Sequence, residues 1–190
     1  MRICIPVVAL GAALAVLQGC APLLIGAGVG AGAMVAEDRR SSGTILEDQT
    51  IELKASNRIN ERFEDKVRVS VTSFNRFVLL TGQVPDEQTK KDVEAITLEV
   101  PNVRNVQNEL VVSGASSFVS RSNDSLLTSR VKARLVQNKN VSAVNIKVVT
   151  ESGTVYLMGL VTRAEAEEAA QTAATTGGVQ RVVKVFEYLD

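Results

Sequence analysis

The chain has 190 residues and balances 21 Lys and Arg against 21 Asp and Glu, so no net charge draws it to nucleic acid. It contains no histidine and no tryptophan, which removes the commonest general base and zinc ligand and the best stacking platform for single strands. Its cysteines, Cys4 and Cys20, both lie near the N-terminus, so the body carries neither a thiol nor a disulfide.

Residues 1–19 have the parts of an export signal peptide. Arg2 is the charge of the n-region, Val7 to Leu17 the apolar h-region, and Gly19 the small residue before the cut. Leu17-Gln18-Gly19-Cys20 resembles a bacterial lipobox, which predicts cleavage before Cys20 and a palmitate-bearing lipid on that cysteine. Ala21 follows it, which resembles the pattern of lipoproteins sent to the outer membrane of a Gram-negative bacterium, in its periplasmic leaflet. An uncleaved transmembrane anchor is the rival reading, because Ile3 to Ala36 carries no charge and exceeds the roughly 20 residues a span needs. Against it, Gly26, Gly28, Gly30 and Gly32 make poor helix, and Pro22 interrupts the run. The glycines do not form a dinucleotide fingerprint, which would need Gly where Ala31 stands. Residues 20–47 therefore read as a lipidated N-terminus and flexible linker, polar from Glu37 to Asp48.

The body is written twice. In the first copy, residues 48–113, Ala55, Ile59 and Phe63 form an apolar stripe at helical spacing. Val69-Ser70-Val71 then leads through a weak turn at Asn75-Arg76 to Phe77-Val78-Leu79-Leu80-Thr81-Gly82-Gln83-Val84. A helix from Asp86 to Leu98 follows, with Pro85 suited to its first turn, and Val103-Arg104-Asn105-Val106 closes the unit. Residues 114–122 read as a second linker. In the second copy, residues 123–190, Leu127, Val131 and Leu135 make the stripe, and Glu151-Ser152-Gly153 signals a hairpin between Ile146-Lys147-Val148-Val149 and Val155 to Val161. Thr162 with Glu165 three residues on is a capping box for the helix Arg163 to Thr175, and Val179-Gln180-Arg181-Val182 closes this copy. Each unit reads αββαβ. The predicted fold class is α+β, with a three-stranded mixed sheet packed by two helices on one face and right-handed crossovers. At about 65 residues each core is small, so packing against its twin is expected. Gly82 and Gly159 are expected to allow close strand–helix packing.

No spacing assembles a catalytic, cofactor-binding or metal-ligating set. The acids Asp86-Glu87 and Glu165-Glu167-Glu168 fall at helix starts, where negative charge suits the helix dipole, and read as solvated faces. The expectation is a protein that is not an enzyme. A hydrolase built on carboxylates is the weakest alternative.

Val78-Leu79-Leu80-Thr81-Gly82-Gln83-Val84 and Val155-Tyr156-Leu157-Met158-Gly159-Leu160-Val161, each followed by a Val-x-x-Val closing motif, resemble the BON domain over nearly all of residues 48 to 190. A lipobox followed by two such domains is similar to the dual-BON outer-membrane lipoproteins. The resemblance implies a non-enzymatic protein that supports outer-membrane integrity and binds anionic phospholipid, phosphatidylglycerol or cardiolipin, through its second domain.

The residues themselves bear on that expectation. In the second copy's first helix, Asp124 to Gln137, Leu126 projects roughly 140° from the buried stripe, beside Arg130, Ala133 and Gln137. Between Ser125 and Thr150 there is no acid, while Arg130, Lys132, Arg134, Lys139 and Lys147 are all present. The matching first-copy stretch mixes Glu61, Glu64 and Asp65 with its bases. An apolar side chain ringed by bases suits an anionic interface, at about 1 kcal/mol per base near the surface. The candidate phospholipid-binding residues are Leu126, Arg130, Ala133, Arg134, Gln137 and Lys139. A solvated basic face with one stray leucine is the plain alternative. A protein adaptor for outer-membrane assembly proteins, such as the β-barrel assembly machinery, is the other function that stays open.

Overall fold

The computed structural model describes residues 38–113 and 121–190. The lipobox, Cys20 and the Gly-rich tract lie outside the described residues.

Helix α1 (Ser42–Phe63) starts where the Ser41 hydroxyl accepts the Thr44 N–H at 3.1 Å, and it buries Ile51, Ala55 and Ile59 on one stripe. Strands β1 (Arg68–Phe74) and β2 (Phe77–Val84) pair antiparallel with only Asn75 and Arg76 between them. Both turn residues have positive φ, 52° and 63°, the signature of a turn whose twist matches the flanking strands. Asp86, not Pro85, begins the next helix: its carboxylate accepts the Thr89 N–H at 2.7 Å and caps α2 (Glu87–Leu98). The chain then returns parallel to β2 as β3 (Asn105–Asn108) and, after a break that buries Leu110, as β4 (Val111–Val112). These are two halves of one interrupted strand.

The second half repeats the order. Helix α3 (Arg121–Gln137) precedes the hairpin of β5 (Ile146–Glu151) and β6 (Thr154–Val161), turned at Ser152 and Gly153 with φ of 50° and 74°. Helix α4 (Arg163–Ala174) opens with the expected capping box of Thr162 and Glu165 and leads to β7 (Arg181–Tyr188), parallel to β6. The mixed α+β fold of each half is as the sequence predicts.

The central strands are apolar on both faces, and the layers follow from that. Val78, Leu80 and Val84 of β2 meet Ile51, Ala55, Ile59 and Val93 of the helices. Val155, Leu157 and Val161 of β6 meet Leu127, Val131, Leu135, Ala166 and Ala169. The alternate residues point the other way: Phe74 and Leu79 of the first sheet pack with Tyr156, Met158 and Val185 of the second in a shared cluster. The two sheets lie back to back with helices outside. Each small core is thereby extended by its twin's, at about 1.5–3 kcal/mol for every large side chain fully buried. Polar bonds frame the seam. Glu187 accepts from Asn75 Nδ2 at 2.8 Å and Arg104 Nη1 at 2.9 Å, and Lys147 Nζ donates to Glu52 Oε1 at 2.7 Å and to the Ser73 carbonyl at 3.1 Å.

Three expectations need correction. Residues 42–47 are the first turns of α1 rather than linker, and Arg39 and Arg40 ahead of them are bonded into both halves. Gly82 and Gly159 face strands, not helices. A Cβ at Gly82 would stand 2.0 Å from the Arg68 carbonyl oxygen, and one at Gly159 would stand 2.5 Å from that of Asn145, on the paired strand side of each hairpin. Glu165 is not a solvated acid: its side chain is largely covered and paired with Arg39.

Candidate membrane-facing site

Helix α3 is set against its sheet by Leu127, Val131 and Leu135, so the opposite face is fixed outward. Leu126 is 58% exposed there. Arg130, Ala133 and Gln137 are exposed on the same side, and Lys139 is exposed in the turn after the helix. Arg130, Lys132 and Lys139 enter no ion pair among the described residues, so their charge faces water.

Arg134 does not join that face. Its guanidinium turns inward and donates from Nη1 to the Thr172 carbonyl at 3.1 Å and to Thr176 Oγ1 at 2.9 Å, at the C-terminal end of α4. A cation there satisfies orphan carbonyls and opposes the helix dipole, so Arg134 joins α3 to α4. Lys147, in the same acid-free stretch, is taken by Glu52.

Sequence reasoning missed Val136 on this helix, which is 73% exposed. It lies near the solvent pole on the side away from Leu126, where a stripe argument centred on Leu126 did not look.

The first half offers the control. Positions matching Leu126, Arg130, Ala133 and Gln137 are Thr50, Lys54, Asn57 and Glu61. Helix α1 also exposes Leu46 and Leu53, but its outer surface carries Glu47 and Glu61 among the bases. Among the described residues, α3 carries an exposed leucine in a sequence stretch, Ser125 to Thr150, that has no acid, and α1 does not.

Both halves hold their geometry with one device the sequence reading overlooked. Asp124 accepts the backbone N–H groups of Ser152 at Oδ2 and Gly153 at Oδ1, both at 2.9 Å, clamping the β5–β6 turn to the start of α3. Asp48 does the same for Asn75 (2.9 Å) and Arg76 (2.7 Å), and also accepts from Ser73 Oγ at 2.7 Å. It is buried, so its charge needs a partner, which Arg40 supplies at 3.0 Å. Arg40 also lies over the Phe74 ring, 3.8 Å from its centroid. A carboxylate 27 residues upstream of the first turn and 28 upstream of the second was the available signal.

Arg39 reaches the other half. Its backbone N–H donates to Asn145 Oδ1 at 2.8 Å, and its guanidinium donates to the Leu160 carbonyl and pairs with Glu165 through two bonds. That pairing, with the Thr162 N–H and hydroxyl, holds the Glu165 carboxyl down at about 2. The neighbouring Asp38 is also lowered, chiefly by its hydrogen bonds from Arg40. Among the described residues no cluster of His, Cys, Asp and Glu is arranged to hold a metal ion, and no helix is long and apolar enough to cross a membrane.

The BON domain model matches the chain twice, over residues 47–114 and 123–190. The outer membrane lipoprotein DolP of Haemophilus influenzae is 43% identical over 176 residues, 92% of this chain and 91% of that one. A 21 kDa hemolysin of Actinobacillus pleuropneumoniae is 30% identical, covering 80% of this chain and 79% of its own. The osmotically-inducible protein Y of Escherichia coli K12 is 27% identical, covering 80% and 78%.

Proposed function

This chain belongs to the BON-domain family, and on that premise we propose that it is a lipid-anchored outer-membrane lipoprotein, facing the periplasm, whose second domain holds anionic phospholipid. Cys20 carries the anchor. The exposed face of α3 reads the membrane: Leu126 enters the interface, Arg130 and Lys139 meet phosphate headgroups, and Ala133 and Gln137 let the helix lie close. Arg134 adds its positive charge from behind, bound to α4. By holding phospholipid the protein supports outer-membrane integrity. It carries out no reaction.

The observation that carries this reading is the conjunction of an exposed Leu126 with unpaired bases in a stretch free of acids, on one half of a duplicated fold and not the other. The likeness to an outer membrane lipoprotein along nearly the whole chain supports the location.

Vesicle co-sedimentation of the unacylated chain, residues 21–190, tests it. The chain sediments with phosphatidylglycerol or cardiolipin vesicles and stays behind with phosphatidylcholine. Leu126→Glu, which removes a leucine worth about 1.5–3 kcal/mol when buried, lowers that partition by about tenfold or more. An unchanged partition would remove α3 from the site. In-cell crosslinking from Leu126 that traps an assembly protein and no lipid would favour the adaptor reading instead.

A further inference from the structure

Helix α1 is the longest among the described residues, 22 residues or about 33 Å, and its buried stripe of Ile51, Ala55 and Ile59 fixes which side faces out. On that outer side stand Leu46 and Leu53, 64% and 63% exposed, each more so than Leu126 of α3. They are seven residues apart, two turns, so one lies above the other. Thr50 and Asn57 fill the row between and beyond them at spacings of four and three, and Gln49, Ser56 and Asn60 border it. None of these seven side chains is charged. Thr50 asks nothing of a partner, because its hydroxyl already donates to the Leu46 carbonyl at 2.9 Å.

Charge gathers instead along one edge of the row, where Glu47, Lys54 and Glu61 recur every seven residues. Glu47 accepts from Asn102 Nδ2 at Oε1, 2.9 Å away, and Lys54 is exposed with no ion pair among the described residues. A neutral row centred on leucines, with charge at its border, is the pattern of a helix that packs on a helix. It lacks the basic surround of α3 that suits an anionic surface.

The order of the charges selects the occupant. When a helix meets a copy of itself head to tail about a two-fold axis, an edge faces the same edge in reverse order. With the axis level with residues 51 and 52, Leu53 packs on Thr50 of the other copy and Leu46 on its Asn57. The same register brings Glu47 to Lys54 of the other copy. Every one of these contacts is made twice.

We propose that two copies of this chain pair antiparallel through the outer face of α1. The contact is one helix wide, which places it among small, readily reversed interfaces. Because the sheets lie back to back with the helices outside, α1 and α3 occupy opposite outer layers. A pair therefore keeps both α3 faces free, and two weak contacts in one assembly reinforce each other.

Sedimentation velocity of residues 21–190 at rising concentration tests the pairing without any membrane. The wild type shifts from monomer to dimer. Leu53→Glu puts an acid in the middle of the row on each copy and lowers the association constant by about tenfold or more. Its thermal unfolding stays close to that of the wild type, because residue 53 is exposed. Glu47→Lys sets Lys against Lys twice, and Lys54→Glu sets Glu against Glu twice, so each variant alone stays monomeric where the wild type pairs. An equal mixture of those two variants dimerises again, since every Lys then faces a Glu. A wild type that is monomeric throughout, a dimer indifferent to Leu53→Glu, or a mixture that does not recover overturns the proposal. Leu53→Glu that releases the chain from phosphatidylglycerol vesicles and leaves self-association intact also overturns it, and gives the face to the bilayer.

Discussion

The guanidinium of Arg39 meets the carboxylate of Glu165 through two hydrogen bonds, 2.8 and 2.9 Å long, across 126 residues of chain. One bond pair thus ties the segment just ahead of α1 to the start of α4. Because both side chains are partly exposed, the pair is worth little by itself, yet its two-bonded geometry fixes Arg39 against the second domain. A double-mutant cycle with Arg39→Ala and Glu165→Gln, read by thermal unfolding, gives a coupling of about 0.5–1 kcal/mol. Additive effects would mean that the clasp does not hold in solution.

The same pair sets a pH dependence. The Glu165 carboxyl is held at about 2, below its ordinary 4.5, mainly by Arg39. A group with a depressed folded pKa stabilises the fold above its unfolded value and loses that contribution as pH falls through the folded one. Stability should therefore be insensitive to this group above about pH 5.5 and decline from 4.5 towards 2. Asp38 contributes in the same direction. Denaturant melts of wild type and Glu165→Gln at pH 7, 4 and 3 check it. The gap between the two proteins narrows as the acid rises.

Asp48 and Asp124 play one role at two costs. Asp124→Ala frees two backbone N–H groups at a part-exposed turn and costs about 1–2 kcal/mol. Asp48→Ala frees the same pair together with the Ser73 hydroxyl and takes one of two carboxylate partners from Arg40, which keeps Asp38, so it costs more, about 2–4 kcal/mol. Equilibrium unfolding of the two variants should rank them in that order.

Gly159→Ala would set a methyl 2.5 Å from the Asn145 carbonyl oxygen, and Gly82→Ala would set one 2.0 Å from that of Arg68 with φ at +118°. Neither neighbour is a mobile side-chain end. Each substitution should cost about 2 kcal/mol or more, with Gly82 the worse because the backbone is strained as well. Urea unfolding midpoints measure both.

What the sequence disclosed was local. The stripe of Leu127, Val131 and Leu135 and the Thr162–Glu165 box are short-range patterns, and the structure keeps each. What it hid depends on distant partners. Arg39, Arg40 and Ser41 have the composition of a linker, and only Asn145, Glu165 and Asp48 make them part of the fold. Arg134 has the look of a surface base, until α4 supplies two acceptors. The back-to-back sheets were within reach. Val78-Leu79-Leu80 and Val155 to Met158 are continuous apolar runs, which is how a strand buried on both faces is written.

Residue-resolved NMR of the chain during titration with phosphatidylglycerol micelles tests the central claim most directly. Signals from residues 124–139 should move first and furthest, led by Leu126 and Arg130, while the matching first-domain residues from Asp48 to Phe63 stay in place. Uniform small shifts across both domains, or movement confined to α1, would contradict it.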